Sequence, residues 1–149
     1  MRGSDQFHAG IVVDDLPGAL ADLTEMFGYE WCPILALETP VVLPDGEFML
    51  DLEFTYSTTV PRVEVIRSTP GTLWVPAAGA GVHHLGYWSD DLVTDMASLA
   101  ARGYAEEARG VDPNGAAMWA YHRSPAGPRI ELVSRAIAPG LEQYWATAG

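Results

Sequence analysis

Lysine is absent from this chain of 149 residues, whose eight basic side chains are all arginine. Schiff-base catalysis is therefore excluded, and so is a phosphate-binding P-loop, which needs a lysine. Twenty acidic residues against eight arginines leave a formal net charge of −12. Such a surface cannot neutralise a row of phosphates, so nucleic-acid binding is not expected. A strongly anionic substrate is disfavoured too, unless arginines gather locally. Cysteine occurs once, at Cys32, which rules out an internal disulfide and a Cys-rich zinc site. Lying beside Trp31 in an apolar stretch, Cys32 reads as a small buried hydrophobe. No apolar run approaches the ~20 residues of a membrane-spanning helix. Met1 to Gln6 is polar, without the apolar segment of a secretory signal. The expectation is a cytoplasmic protein with neither nucleic-acid nor membrane partners.

What is present is a repeat. His8-Ala-Gly-Ile-Val-Val-Asp-Asp-Leu16 returns as His84-Leu-Gly-Tyr-Trp-Ser-Asp-Asp-Leu92, with His, Gly, Asp-Asp and Leu in register. Arg62-Val-Glu-Val-Ile66 returns as Arg129-Ile-Glu-Leu-Val133, and Phe27-Gly-Tyr29 is echoed by Arg102-Gly-Tyr104. Similarity at this period points to two copies of one supersecondary unit. In each copy a short strand (7–13 and 83–89) runs into an Asp-Asp-Leu turn whose aspartates can cap a helix. The helices are expected at Pro17–Phe27 and Val93–Arg102, ended by Gly28 and Gly103. Strands are expected near 30–37, 47–57 and 62–66 in copy one, and near 104–108, 116–123 and 129–134 in copy two. The fold class is thus α+β, a β-α-β-β-β unit twice in one domain spanning 1–149. Module 1 covers about 7–67 and module 2 about 83–134. The joint, 69–81, is rich in Pro, Gly and Ala, and the tail, 135–149, reads as a short outer helix.

Alternation along a strand puts Val63 and Val65 on one face and Glu64 on the other; Ile130, Glu131 and Leu132 repeat this. A carboxylate between aliphatic neighbours is costly to bury alone. His8 and His84 open the first strand of each copy. Singly, each of these residues reads as an ordinary core or surface position. Together His8, Glu64, His84 and Glu131 make a two-fold related set of imidazole and carboxylate donors without thiolate, which suits Zn, Ni, Co, Mn or Fe(II). His83 should point away from His84 by alternation, as a structural residue.

The His8–Leu16 segment, Gly81-Val-His-His-Leu-Gly-Tyr87 and Arg129–Val133 resemble the vicinal-oxygen-chelate superfamily, which includes glyoxalases, methylmalonyl-CoA epimerases, extradiol dioxygenases and bleomycin-binding proteins. The similarity runs over roughly residues 7–134 and is nearest the epimerase and glyoxalase-like branch. The resemblance implies paired modules curled into a cupped mixed sheet. It also implies a divalent metal on His8, Glu64, His84 and Glu131, and a homodimer, with modules pairing within or between chains. A carboxylate at Glu64 goes with proton transfer rather than oxygen activation.

The implied activity is that of an isomerase or lyase. Vicinal substrate oxygens chelate the metal while a carboxylate removes a proton from the adjacent carbon. In the epimerase branch the base is a Glu on the third strand of the first module. Ungapped placement and alternation make Glu47, Asp51 and Glu53 the candidates, facing away from Leu50, Leu52 and Phe54. Trp88, Tyr121 and His122 are the candidate substrate contacts. Trp74, Trp88, Trp119 and Tyr121 could supply an aromatic wall; Trp88 is best placed because it shares parity with His84, and core packing is the expected role of the others. An Fe(II) oxygenase and a non-catalytic binder of an antibiotic-like ligand are the alternatives.

Overall fold

The computed structural model describes residues 1–147; the last two residues of the tail, 148 and 149, lie outside the described residues. Its first half contains β1 (Gln6–Val13), α1 (Leu16–Phe27), β2 (Leu35–Leu43), β3 (Gly46–Tyr56) and β4 (Arg62–Arg67). The second half repeats the order with β5 (His84–Ser89), α2 (Leu92–Ala101), β6 (Ala105–Val111), β7 (Ala117–Arg123) and β8 (Arg129–Ser134), and α3 (Ala138–Ala146) follows. No helix among the described residues is long and apolar enough to cross a membrane.

The helix ends follow the repeated turn. Asp15 accepts from the Gly18 amide and Asp91 from the Thr94 amide, so the second aspartate of each Asp-Asp-Leu is the N-cap. Gly28 closes α1 in the left-handed conformation, at φ 72°, where a Cβ is disfavoured.

The eight strands form one closed mixed sheet in the order β1-β4-β3-β2-β6-β7-β8-β5. Within each module the first and last strands are parallel: Gly10 lies opposite Glu64, and Gly86 opposite Glu131. The modules join within one chain at two seams. One is antiparallel pairing of β1 with β5, and the other a short contact of β2 with β6 at Val41 and Val42.

The observed β2 begins and ends later than the sequence pattern suggests, running through Thr39-Pro40. Pro40 is tolerated because β6 reaches only Val41 and Val42, leaving β2 an edge strand at the proline.

Two apolar clusters flank the sheet. Leu92 and Leu99 of α2 pack on Leu132 of β8 at the outer face. Val12, Val41, Leu52, Ile66, Trp74, Ala108 and Tyr121 fill the concave side, so the interior of the cup is itself apolar.

Candidate metal centre

Glu64 and Ile66 of β4 face into the cup, as do Glu131 and Val133 of β8. The Nε2 atoms of His8 and His84 lie 3.0 Å apart. Glu131 Oε2 is 3.1 Å from His8 Nε2 and 3.5 Å from His84 Nε2. Glu64 Oε2 is 3.4 and 3.2 Å from the same two nitrogens. All four donor atoms fall within 4.8 Å of one another, and all four residues are buried.

At metal–ligand distances of about 2.0–2.2 Å, two donors on one ion stand about 3 Å apart at right angles and about 3.4 Å apart at the tetrahedral angle. The five separations match that range. Both Glu Oε2 atoms are buried without a hydrogen-bond partner, although imidazole nitrogens lie close by. Charge points the same way. Burial opposes charge on His8, but the adjacent carboxylates of Glu131 and Glu64 override it and lift the imidazole to about 9. The balance is the same at His84, which is also raised. Burial would raise Glu64 and Glu131, yet contact with both histidines lowers them. The two carboxylates thus favour positive charge on both imidazoles, and one divalent cation could supply that charge instead. The donor set, without thiolate, fits a borderline or hard ion.

Three supporting features were not read from the sequence. The first is the pair of glycines in the repeated His-x-Gly. His8 pairs with Gly86 and His84 with Gly10 across the β1–β5 seam. A Cβ on Gly86 would lie 1.9 Å from His8 Cε1, and one on Gly10 would lie 1.9 Å from His84 Cε1. Each imidazole rests on the bare backbone of the other module. The recurrence of glycine two residues after each histidine was the available signal.

The second is His83. Its Nε2 is 2.7 Å from the Leu73 carbonyl and its Nδ1 is 3.0 Å from His84 Nδ1. A carbonyl only accepts, so His83 Nε2 carries the hydrogen. Burial drives the ring down to about 4, keeping it neutral with Nδ1 bare. His83 Nδ1 then accepts from His84 Nδ1, so that Nε2 would be the lone-pair donor of His84 to a metal ion. Phe7 occupies the matching place before His8, whose Nδ1 is buried without a partner.

The third is a pair of tyrosines. Tyr56 is the cross-strand partner of Glu64, and Tyr121 of Glu131. Burial and the two carboxylates push both phenols well above 10, so they remain protonated donors.

The expected base candidates are not in the cup. Leu52, Phe54 and Tyr56 line the interior, so Glu47, Asp51 and Glu53 lie on the other face of β3. Asp51 and Glu53 border an outer groove, Glu53 pairs with Arg67 at 3.0 Å, and Glu47 is exposed. Alternation along β3 holds as expected, but its acidic side faces outward. An apolar cup draws in the leucines and phenylalanine, and this part of β3 meets solvent on its back.

Trp88 also lies outside the cavity, stacked on Phe7 at 4.0 Å between centroids and 6.4 Å from Trp145. His122 is the cross-strand partner of Ile130, which packs under α2, so it faces outward from the cup. Of the four candidates for an aromatic wall, Tyr121, Trp74 and Trp119 line the cavity.

A duplicated β-α-β-β-β cup with two histidines and two glutamates converging on one point defines a recognisable class of protein. The family model for the glyoxalase/bleomycin resistance protein/dioxygenase superfamily matches residues 7–122, and the chain belongs to that superfamily. Among solved structures, the fold is shared with a Streptomyces coelicolor methylmalonyl-CoA epimerase in complex with 2-nitronate-propionyl-CoA. That match has a TM-score of 0.59 at 18% identity and covers 89% of this chain and 94% of the other. A Mycobacterium tuberculosis methylmalonyl-CoA epimerase gives 0.52 at 15% identity over 93% and 92%. A hypothetical protein from Bacillus halodurans C-125 gives 0.58 at 14% identity over 87% and 93%. No curated protein matches the chain in sequence.

Proposed function

We propose that this protein is a divalent-metal-dependent isomerase or lyase acting on a small molecule that presents two vicinal oxygens. The observation that carries the reading is the convergence of His8, Glu64, His84 and Glu131 at the floor of a cavity that Glu64 and Glu131 themselves line. A bound divalent ion would act there as a Lewis acid, stabilising negative charge on the chelating oxygens. The proton leaving the neighbouring carbon passes to Glu64 or Glu131. Glu38 also borders the cavity, but it pairs with Asp51 in register and belongs to the outer face at the mouth. Tyr56 and Tyr121, held protonated, donate to a substrate oxygen. The apolar wall excludes water and strengthens each of these interactions.

Metal analysis of the purified protein tests the centre. A stoichiometric divalent ion is expected, lost in Glu64→Ala and His84→Ala. Proton transfer is tested with 2-hydroxyacetophenone in deuterated water, following exchange at its CH2 by NMR. Oxygen consumption without exchange would replace this reading with the oxygenase one. A metal-free protein that still fills its cavity would replace it with the binder. We propose further that the protein is cytoplasmic and, from the family resemblance, a homodimer. Light scattering should give twice the 16.1 kDa of one chain.

A further inference from the structure

The cavity beside the metal-centre residues has a volume of about 380 Å3. That is at the small end of ligand pockets, which span about 300–1,000 Å3. Its wall is one-sided in two respects. The first is charge: its charged residues are Glu38, Glu64 and Glu131, with no arginine among them. Five of the eight arginines are in ion pairs elsewhere, with Arg67 on Glu53, Arg109 on Glu106, Arg123 and Arg129 on Glu107, and Arg135 on Asp5 and Asp90, while Arg62 donates to the Ser57 carbonyl and lies over the Trp145 ring. A phosphate or second carboxylate in the cavity would meet only like charge, in surroundings that screen it poorly. One divalent ion with two carboxylates and two neutral imidazoles is already balanced, so a dianionic ligand would leave the cup with uncompensated negative charge.

The second is shape. Trp74, Trp119 and Tyr121 stand edge to face, with centroids 5.6 to 5.9 Å apart. The cluster is built in rather than incidental. Trp119 lies against Gly110, its cross-strand partner, where an added Cβ would come within 2.2 Å of the indole. Phe54 adds a further ring, and Ile137 and Leu141 of the C-terminal segment complete the lining. Three rings and an apolar rim suit a flat, ring-bearing ligand.

We propose that the cup takes a compact, uncharged, ring-bearing molecule whose ring packs on Trp74, Trp119 and Tyr121 and whose vicinal oxygens point to the Glu64 and Glu131 end. The oxygen end rests on the function proposed above; the ring end rests on the cavity alone. Phosphorylated carriers such as coenzyme A thioesters fall outside this class, although relatives in complex with such molecules share the fold.

A matched set of probes tests this by titration, read from tryptophan fluorescence and calorimetry, with metal content measured in parallel. 2-Hydroxyacetophenone carries ring and oxygens, hydroxyacetone the oxygens, acetophenone the ring, and acetyl-CoA the anionic carrier. The expected result is that 2-hydroxyacetophenone binds at least about ten-fold tighter than hydroxyacetone or acetyl-CoA. Trp119→Ala should weaken it about ten-fold, leaving hydroxyacetone binding and metal content unchanged. Trp119→Phe keeps an aromatic face and should retain most of the affinity, covering the case in which the alanine variant does not fold. Equal binding of hydroxyacetone and 2-hydroxyacetophenone, or tighter binding of acetyl-CoA by metal-loaded protein, overturns the proposed class. If the protein holds no metal, and both ketones with a ring bind equally and more tightly than acetyl-CoA, the ring-bearing class stands and the metal reading falls.

Discussion

Gly86→Ala changes one hydrogen to a methyl group and should disable the metal centre. The new Cβ would sit 1.9 Å from His8 Cε1, against 3.4–4 Å for ordinary contact. The ring must therefore retreat by about 1.5 Å or more. It has little freedom to do so, because His8 is 1% exposed and rests edge-on against Tyr56 and His84. Overpacking of this kind costs about 1–3 kcal/mol of folding stability. A donor displaced by that much leaves the range of about 2.0–2.1 Å in which imidazole binds an ion such as zinc. Removing a group that hydrogen-bonds a metal ligand costs about 10–100-fold in metal affinity, so loss of the ligand itself should cost at least about 100-fold, or about 2.7 kcal/mol. Gly10→Ala, which strikes His84 in the same way, should match it. Gly3→Ala is the control, since nothing lies within 4 Å of its Cβ position. Competition against a fluorescent chelator gives the affinity, and thermal melting of metal-free protein gives the stability. If Gly86→Ala binds metal within about three-fold of wild type while Gly3→Ala behaves normally, the reciprocal seating of the histidines is refuted, since loss of a ligand's hydrogen-bond partner alone costs at least about ten-fold.

Three other outcomes are expected. His83→Phe should lower metal affinity by about 10–100-fold, while His83→Gln, which keeps an acceptor, restores part of it; equal affinity in all three proteins would show that the His83–His84 contact does not orient the ligand. Metal binding should tighten as pH rises towards about 9 and then level, because the proton on His8 must leave first; calorimetry in buffers of different ionisation enthalpy should detect released protons, and none would count against the charge balance drawn here. Glu107, which burial would raise, is lowered by Arg129 and Arg123. A depressed carboxylate stabilises the fold above its unfolded value near 4.5, and that gain is lost as pH falls through its lower folded value. Glu107→Gln should thus be less stable than wild type in urea at neutral pH, with the gap closing in acid; a gap independent of pH would remove the ion pair as its cause.

The β-α-β-β-β repeat was legible because each signal is local. Asp-Asp-Leu sets a cap, glycine ends a helix, and alternation marks a strand. The two-fold placement of His8, Glu64, His84 and Glu131 followed from the repeat, since equivalent positions in equivalent strands must come to equivalent places. Alternation separates the two faces of β3 but does not say which one looks inward. Hence Glu47, Asp51 and Glu53 were sorted together correctly and placed on the wrong side. Trp88 had the expected parity, yet its ring stacks on Phe7 outside the cavity.

Sequence alone determined the duplicated units and the chemical type of the converging donors, because short-range periodicity and internal repetition carry both. The tertiary structure decided what surrounds them. It put Gly10 and Gly86 beneath the opposite module's histidine, turned His83 towards His84, and gathered Trp74, Trp119 and Tyr121 into one wall. Those contacts join residues distant in the chain or depend on which way a sheet curls. Both are settled by closure of the whole sheet, which no local pattern specifies.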